Sequence, residues 1–439
     1  MSASDTYRNE RGSLAVAPPA LDALQRAALW LFVFSGWYVV VEPAPYEFLF
    51  LVALLLHVPA GLSIHRSASP LVLFLILFLL GGFASLVPVL YLPKTAQYFL
   101  VSFYMAMASI FICFCITADP VRRTMTIRNA WICAAVVASI LGMIGYFKIG
   151  GMGEAWAPSW RAQGTFKDPN VLSTFLVPPA VFLIHGFLLG TQRHRILSGI
   201  ALAIILAGIF LAFSRGAWFN ILASVVLLFG LTFYLAPTWA LRTRLVLMAA
   251  VGFVLALAAV SFALHFEAVR SIFELRASLV QTYDAGEYGR FGNQLRSLSY
   301  LVESPNGFGP FQFAAMFGKD PHNVFVNAFA AYGWLGGFSY VLLCVATIVA
   351  GLKAAFMRTP WQAFAIAAVC PMVSMIFQGI QIDTDHWRHF YLLLGMVWGL
   401  FAASVAHART AEARGTWTDI TEGGESSGPR TGRTPQSSR

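Results

Sequence analysis

The residues best suited to chemistry begin with His322, in the run Asp320-Pro321-His322-Asn323, with Asn327 a helical step further on. Asp-Pro reads as an N-cap followed by proline at the first helical position, which predicts a helix carrying His322 in its first turn. The dipole of such a helix keeps an imidazole neutral, ready to accept a proton from a sugar hydroxyl. Asn323 and Asn327 share one helical face and can bind hydroxyls or orient a phosphate. Three arginines, Arg161, Arg215 and Arg290, supply planar forks for phosphate oxygens. Two of them neighbour further predicted helix starts, Asp168-Pro169-Asn170 and Ser214-Arg215-Gly216, whose unpaired N–H groups favour the same anion. Arg276 and Arg296 are alternatives to Arg290. A second cluster, Asp383-Thr384-Asp385-His386-Trp387-Arg388, can supply the base instead, or bind sugar. Taken singly, an interfacial arginine snorkels to lipid phosphate and a lone histidine packs. The expectation of a site rests on their convergence.

The elements that must position these residues are apolar helices. Of 439 residues, 58% are hydrophobic and 11% charged, against about 25% charged in soluble domains. Apolar runs recur at the length needed to cross about 30 Å of hydrocarbon. Twelve are expected, at 21–41, 46–64, 69–91, 95–117, 127–148, 170–190, 195–213, 216–235, 242–264, 322–350, 361–379 and 388–406. The fold class is therefore all-α, a polytopic integral membrane protein. The first run is too long for a cleaved signal peptide and reads as a retained anchor. The net charge of +9 does not point to nucleic acid, because the basic residues are scattered between apolar runs. They mark one side instead: Arg26, Arg66, Arg122, Arg123, Arg193, Arg195, Arg242, Arg244, Lys353 and Arg358. By the positive-inside rule that side is cytoplasmic, together with both termini.

Residues 1–20 then form a cytoplasmic segment, 21–406 the transmembrane domain, and 407–439 a disordered cytoplasmic tail rich in Gly, Ser, Pro and Arg. Two outer loops are long, at about 149–169 and 265–321. In the second, Val269, Ile272 and Phe273, and then Leu295, Leu298, Leu301 and Val302, fall on helical faces expected to lie on the bilayer. Even-numbered runs begin at the outer side, which gathers the candidate residues there. Cys113 and Cys115 are too close together, and too short of partners, for a zinc site. No metal or other cofactor is expected.

In these residues the chain resembles the bacterial O-antigen ligase and polymerase superfamily of membrane glycosyltransferases. The matching segments are R-A-Q-G-T-F-K-D-P-N at 161–170, S-R-G-A-W at 214–218, the long outer loop with Arg290, and H-N-V-F-V-N-A-F-A-A-Y-G-W-L-G-G at 322–337. The resemblance covers roughly 160–400, and the earlier runs match in hydropathy alone. It implies a metal-independent enzyme of the bacterial inner membrane that takes a glycan from undecaprenyl diphosphate. The acceptor would be lipid A–core or a growing polysaccharide, at the periplasmic face. Carried over by position, Arg161, Arg215 and Arg290 hold the diphosphate and His322 sits near the acceptor hydroxyl. The donor segments are common to ligases and polymerases, so they leave the acceptor open. A reading from another class is a twelve-helix transporter or lipid-glycan flippase. Coupled transporters place ionisable residues or broken helices near the midplane, whereas here His57 and His185 are the main polar exceptions in span centres.

Overall fold

A computed structural model describes residues 18–60, 64–87, 89, 92–277, 286 and 289–413. The expected cytoplasmic segment lies outside the described residues up to position 17, and the expected tail does so beyond 413. Among the described residues there are helices and no strands. In chain order they are α1 (Pro19–Phe34), α2 (Pro45–His57), α3 (Ser69–Ala84), α4 (Leu92–Ala118), α5 (Pro120–Tyr146), α6 (Gly153–Trp156), α7 (Pro169–Leu189) and α8 (Arg195–Leu211). There follow α9 (Arg215–Tyr234), α10 (Trp239–Ala263), α11 (Glu267–Ala277), α12 (Arg290–Glu303), α13 (Gln312–Phe317), α14 (Val324–Phe356), α15 (Gln362–Gln378) and α16 (Arg388–Ala413).

Each of the twelve expected runs coincides with a helix, but the helices are of two kinds. Eight are long and apolar enough to cross a membrane: α3 with the turn before it, α4, α5, α7, α9, α10, α14 and α16. The chain is thus a multi-pass helical membrane protein. The helices α1, α2, α8 and α15 have 13 to 17 residues. The last helix continues to Ala413, so residues 407–413 are ordered helix and do not belong to a disordered tail.

Burial sorts the long helices. In α7 and α16, 83% of the apolar window is buried, whereas in α10 only 6% is. α10 therefore offers its apolar surface to lipid, and α7 and α16 form the centre. Close packing is achieved with glycine. A Cβ on Gly81 of α3 would lie 2.6 Å from the Tyr332 carbonyl oxygen of α14, so the two backbones touch.

Polar contacts sort the helix ends. At one end Arg123 of α5 pairs with Asp22 of α1 at 2.9 Å, and Gln25 of α1 donates to the Leu56 carbonyl near the end of α2. At the same end Trp361, just before α15, donates to Ser404 late in α16. At the other end the starts of α2, α4, α14 and α16 meet, through Glu47–Arg388, Tyr98–Asp385 and Asn327–Asp385. The starts of α7 and α9 are joined at that end through Arg161. The candidate residues thus collect at the end where α2, α4, α7, α9, α14 and α16 begin.

One helix is broken. Gly333 of α14 has φ 67° and ψ −172°, a conformation open to glycine. The break frees the Ala330 carbonyl, which accepts from the N–H groups of Phe308 and Gly309, and the Trp334 N–H donates to the Pro305 carbonyl. The turn segment Pro305–Gly309 is thereby docked into the break, which lies nine residues into a helix of 33. The remainder, Trp334–Phe356, rises roughly 34 Å, a full membrane thickness.

Candidate functional site

Three caps place the site loops. Asp168 accepts from the Asn170 N–H at 2.5 Å with Pro169 leading α7, and Ser214 accepts from the Ala217 N–H of α9, both as expected. The third differs. Helix α14 begins at Val324, and its cap is Asn323, whose Oδ1 accepts from the N–H groups of Phe325 and Val326. Asp320 and Pro321 therefore precede the helix, and His322 is not in its first turn. Asn caps as well as Asp does, and it stood closer to the apolar run. The helix-dipole account of a neutral His322 loses its basis.

His322 is instead an exposed residue with φ 46°. Its N–H donates to Asp383 Oδ2 at 3.1 Å, and the Asn323 N–H donates to Asp383 Oδ1 at 2.9 Å. A single carboxylate from the loop after α15 thus clamps the loop that carries the imidazole. Gln294 of α12 reinforces it, donating to the Pro321 carbonyl at 2.7 Å. One helical turn earlier, Arg290 donates to the Gln381 carbonyl at 3.2 Å. Arg290 is therefore tied to the same loops as His322. Arg296 lies against the Phe317 ring, 6.0 Å from its centroid.

Asp385 anchors the adjoining cluster. Fully buried, it accepts from Tyr98 Oη at 2.8 Å and Asn327 Nδ2 at 3.0 Å, and its Oδ2 lies 3.1 Å from His386 Nδ1. The other ring nitrogen of His386 lies 3.1 Å from Ser102 Oγ. Ser102 in turn shares a hydrogen bond with Tyr332. Burial alone raises the pKa of Asp385, but His386 and the Tyr98 hydroxyl outweigh it and hold the carboxyl below its ordinary value. Asp383 goes the other way. Burial and the charge of Asp385 push it up to about 8, against the opposing pull of the two backbone N–H groups. The two carboxyls thus divide, one charged and one holding a proton near neutrality.

The arginines of the other side belong to α7 and α9. Arg161 is buried, donating Nε to the Ala212 carbonyl at 2.7 Å and Nη2 to Asn170 Oδ1 at 2.9 Å. Ala212 is three residues before Arg215, so the two arginines flank one loop. Gln378, at the end of α15, links this side to the carboxylates. Its amide oxygen accepts from Asn220 of α9 at 2.6 Å, and its nitrogen donates to Thr174 of α7 at 3.0 Å.

Three predicted residues have work inside the fold. Asn323 and Asn327 were expected to meet hydroxyls or phosphate, but the Asn323 side chain caps α14 and donates to Gln294, and that of Asn327 donates into the Asp385 cluster. Arg388 pairs with Glu47 at 2.6 Å and Glu42 at 3.8 Å, and Glu42 also pairs with Lys167. Those charges hold the Glu42 carboxyl below its ordinary value in spite of burial.

Sequence reasoning missed Tyr98, Gln294 and Gln378, polar residues set within apolar or amphipathic runs. It also missed the backbone. Besides Lys148 and Phe311, which lie away from the predicted site residues in sequence, Trp160, Phe213 and His322 have positive φ, of 59°, 45° and 46°. Each of these three carries or closely precedes a predicted site residue. Such conformations cost about 1–3 kcal/mol each in side-chain-bearing residues and cluster where function demands them. No protein-family model matches the chain, and no curated protein matches it.

Proposed function

We propose that the chain is a membrane glycosyltransferase of the O-antigen ligase or polysaccharide polymerase type. It moves a glycan from undecaprenyl diphosphate to a hydroxyl of lipid A–core or of a growing polysaccharide. The observation that carries this is the shared placement of Arg161, Arg290, His322 and the Asp383–Asp385 pair at one end of the helices. The enzyme sits in the bacterial inner membrane with that end facing the periplasm and both termini in the cytoplasm. All twelve apolar helices enter or cross the bilayer.

In the reaction, the acceptor oxygen attacks the anomeric carbon as its proton passes to the His322 imidazole. The bond from that carbon to the diphosphate oxygen breaks, and the electron pair leaves with undecaprenyl diphosphate. Arg161, Arg215 and Arg290 stabilise the charge gathering on the leaving group, which needs no protonating acid or metal. A single displacement inverts the anomeric centre. Asp383 holds the His322 loop in position and does not touch the reacting atoms.

A transporter or flippase is the reading from another class, and α14 is relevant because transporters use broken helices. Two observations favour the transferase. The break at Gly333 leaves a full membrane length of helix beyond it, so it falls at a membrane boundary and not at the midplane. The histidines expected in span centres behave as packed residues: His57 is buried against the Ala53 carbonyl, and His185 is buried within α7.

Replacing His322 by Ala, in protein reconstituted with labelled lipid-linked glycan, should cut glycosidic bond formation by about 10²–10⁴-fold, the usual worth of a general base. His386→Ala should cost less. Near-normal turnover by His322→Ala would remove it from the base role, and movement of glycan without bond formation would favour the transporter.

A further inference from the structure

The two amphipathic helices of the long outer loop were expected to behave alike, and they do not. In α11 the apolar stripe turns inward, Leu275 apart: Val269 is buried, and Ile272 and Phe273 join the cluster of Leu211, Phe213 and Trp218. In α12 the polar residues turn inward, with Asn293 and Ser297 buried and Gln294 bonded to the Pro321 carbonyl. Of its apolar residues Leu301 is buried against Phe313 and Ala330, and the others turn out. Phe291, Leu295, Leu298 and Val302, spaced as one helical stripe, are 51%, 72%, 49% and 66% exposed. The helix thus docks mainly through polar residues and Leu301, and leaves an apolar stripe uncovered.

The position of α12 says what covers the stripe. Near its C-terminus the Leu301 carbonyl accepts from Trp334 Nε1 at 2.8 Å. Trp334 is the first residue after the break in α14, and there the exposed apolar surface of that helix begins. Between Val324 and Gly333 no apolar side chain of α14 is exposed, whereas Trp334, Leu335, Phe338, Leu342, Val345 and Val349 all are. The exposed stretch is a membrane length of helix, and a tryptophan at its head marks the lipid–water boundary. The α12 stripe is therefore continuous with a lipid-facing surface, at the depth of its upper edge.

We infer that α12 is seated in the bilayer interface, with Phe291, Leu295, Leu298 and Val302 among lipid acyl chains. The partner is the membrane surface itself, not a second protein. From that seat the other face of the helix holds the site loops, Arg290 on Gln381 and Gln294 on Pro321. Lipid contact would then set the height of both loops above the acyl chains.

The test is depth-dependent quenching on the full chain in phosphatidylethanolamine–phosphatidylglycerol vesicles. Exposed Cys133 is first replaced by Ser, since the other four cysteines are buried. A bimane label is then placed at Leu295→Cys, at Leu298→Cys or, as a water-facing control, at Lys319→Cys. The labels at 295 and 298 should be quenched by nitroxides on shallow acyl carbons, at the depth of about 5–10 Å where interfacial helices lie. They should resist aqueous iodide, and the label at 319 should show the opposite. Quenching at 295 and 298 by iodide alone would place the stripe in water and overturn the inference. Protection from both quenchers would mean that protein covers it, and would equally overturn it. The readout needs no turnover, so its failure is distinct from failure of the transferase proposal.

Discussion

Two arginines at the same end of the molecule, Arg161 buried and Arg388 half-buried, are held in different ways. Arg388 lies between Glu47 and Glu42, and its charge is matched inside the fold. Arg161 donates to the Ala212 carbonyl and to the Asn170 amide oxygen, two bonds that orient the guanidinium across the loop between α8 and α9. Both lie beside helix starts, and sequence placed both at the outer face. The partners make the difference: two acids hold Arg388 between the starts of α2 and α16, while backbone and amide oxygens fix the plane of Arg161 between the starts of α7 and α9. An arginine near a helix start says little until its acceptors are known.

Removing Arg388 is the hardest test of that contrast. Arg388→Ala strands the Glu47 carboxylate, while Glu42 keeps Lys167, and should cost about 3 kcal/mol, the low end for removing one partner of a largely buried pair. Adding Glu47→Gln should return part of the loss in a thermal-unfolding cycle. If the single variant melts like the parent, the pairing carries no structural weight.

A smaller effect probes the join between the arginine and carboxylate sides. Gln378→Leu leaves Asn220 and Thr174 without their shown amide partner and should cost about 1–3 kcal/mol. Hydrogen exchange should rise at the starts of both α7 and α9, because one side chain bonds to both helices. A rise in one helix alone would show that the sides are held separately.

The last effect is read as a slope. Asp383 has an ordinary pKa of 3.8 and is pushed up to about 8 here, so between those values the folded chain holds a proton that the unfolded chain lacks. Its contribution to stability therefore falls as pH rises through that window and is level above it. Asp383→Asn, which cannot ionise, should flatten the fall in melting temperature between pH 5 and 9. An unchanged slope would assign it to other groups.

The fold was largely legible because membrane helices announce themselves. Each expected run coincides with a helix, since lipid requires every backbone group to be satisfied within the segment. Run ends were less legible. Apolar residues continue past a helix end wherever they cover neighbouring protein, so α1 stops at Phe34 although the expected run reached 41. At His322 two acceptable caps stood three residues apart, and local chemistry does not choose between them. The choice fell to Asn323, with Asp383, sixty residues away in the chain, holding its N–H. Likewise, both loop helices show an apolar stripe in sequence. Only the packing shows that one stripe meets Phe213 and Trp218 while the other faces outward.

Sequence by itself determined that this is a helical membrane protein, and which of its polar residues gather at one end. Hydrophobic length and chain direction are local properties, and alternation along the chain does the gathering. Tertiary structure alone decided what each gathered residue bonds to: that Asp385 is buried under Tyr98 and Asn327, that Asp383 clamps the His322 loop, and that Arg388 is matched by acids. Those outcomes depend on contacts between segments far apart in the chain. Burial and neighbouring charge, which set how each carboxyl titrates, exist only once those segments have met.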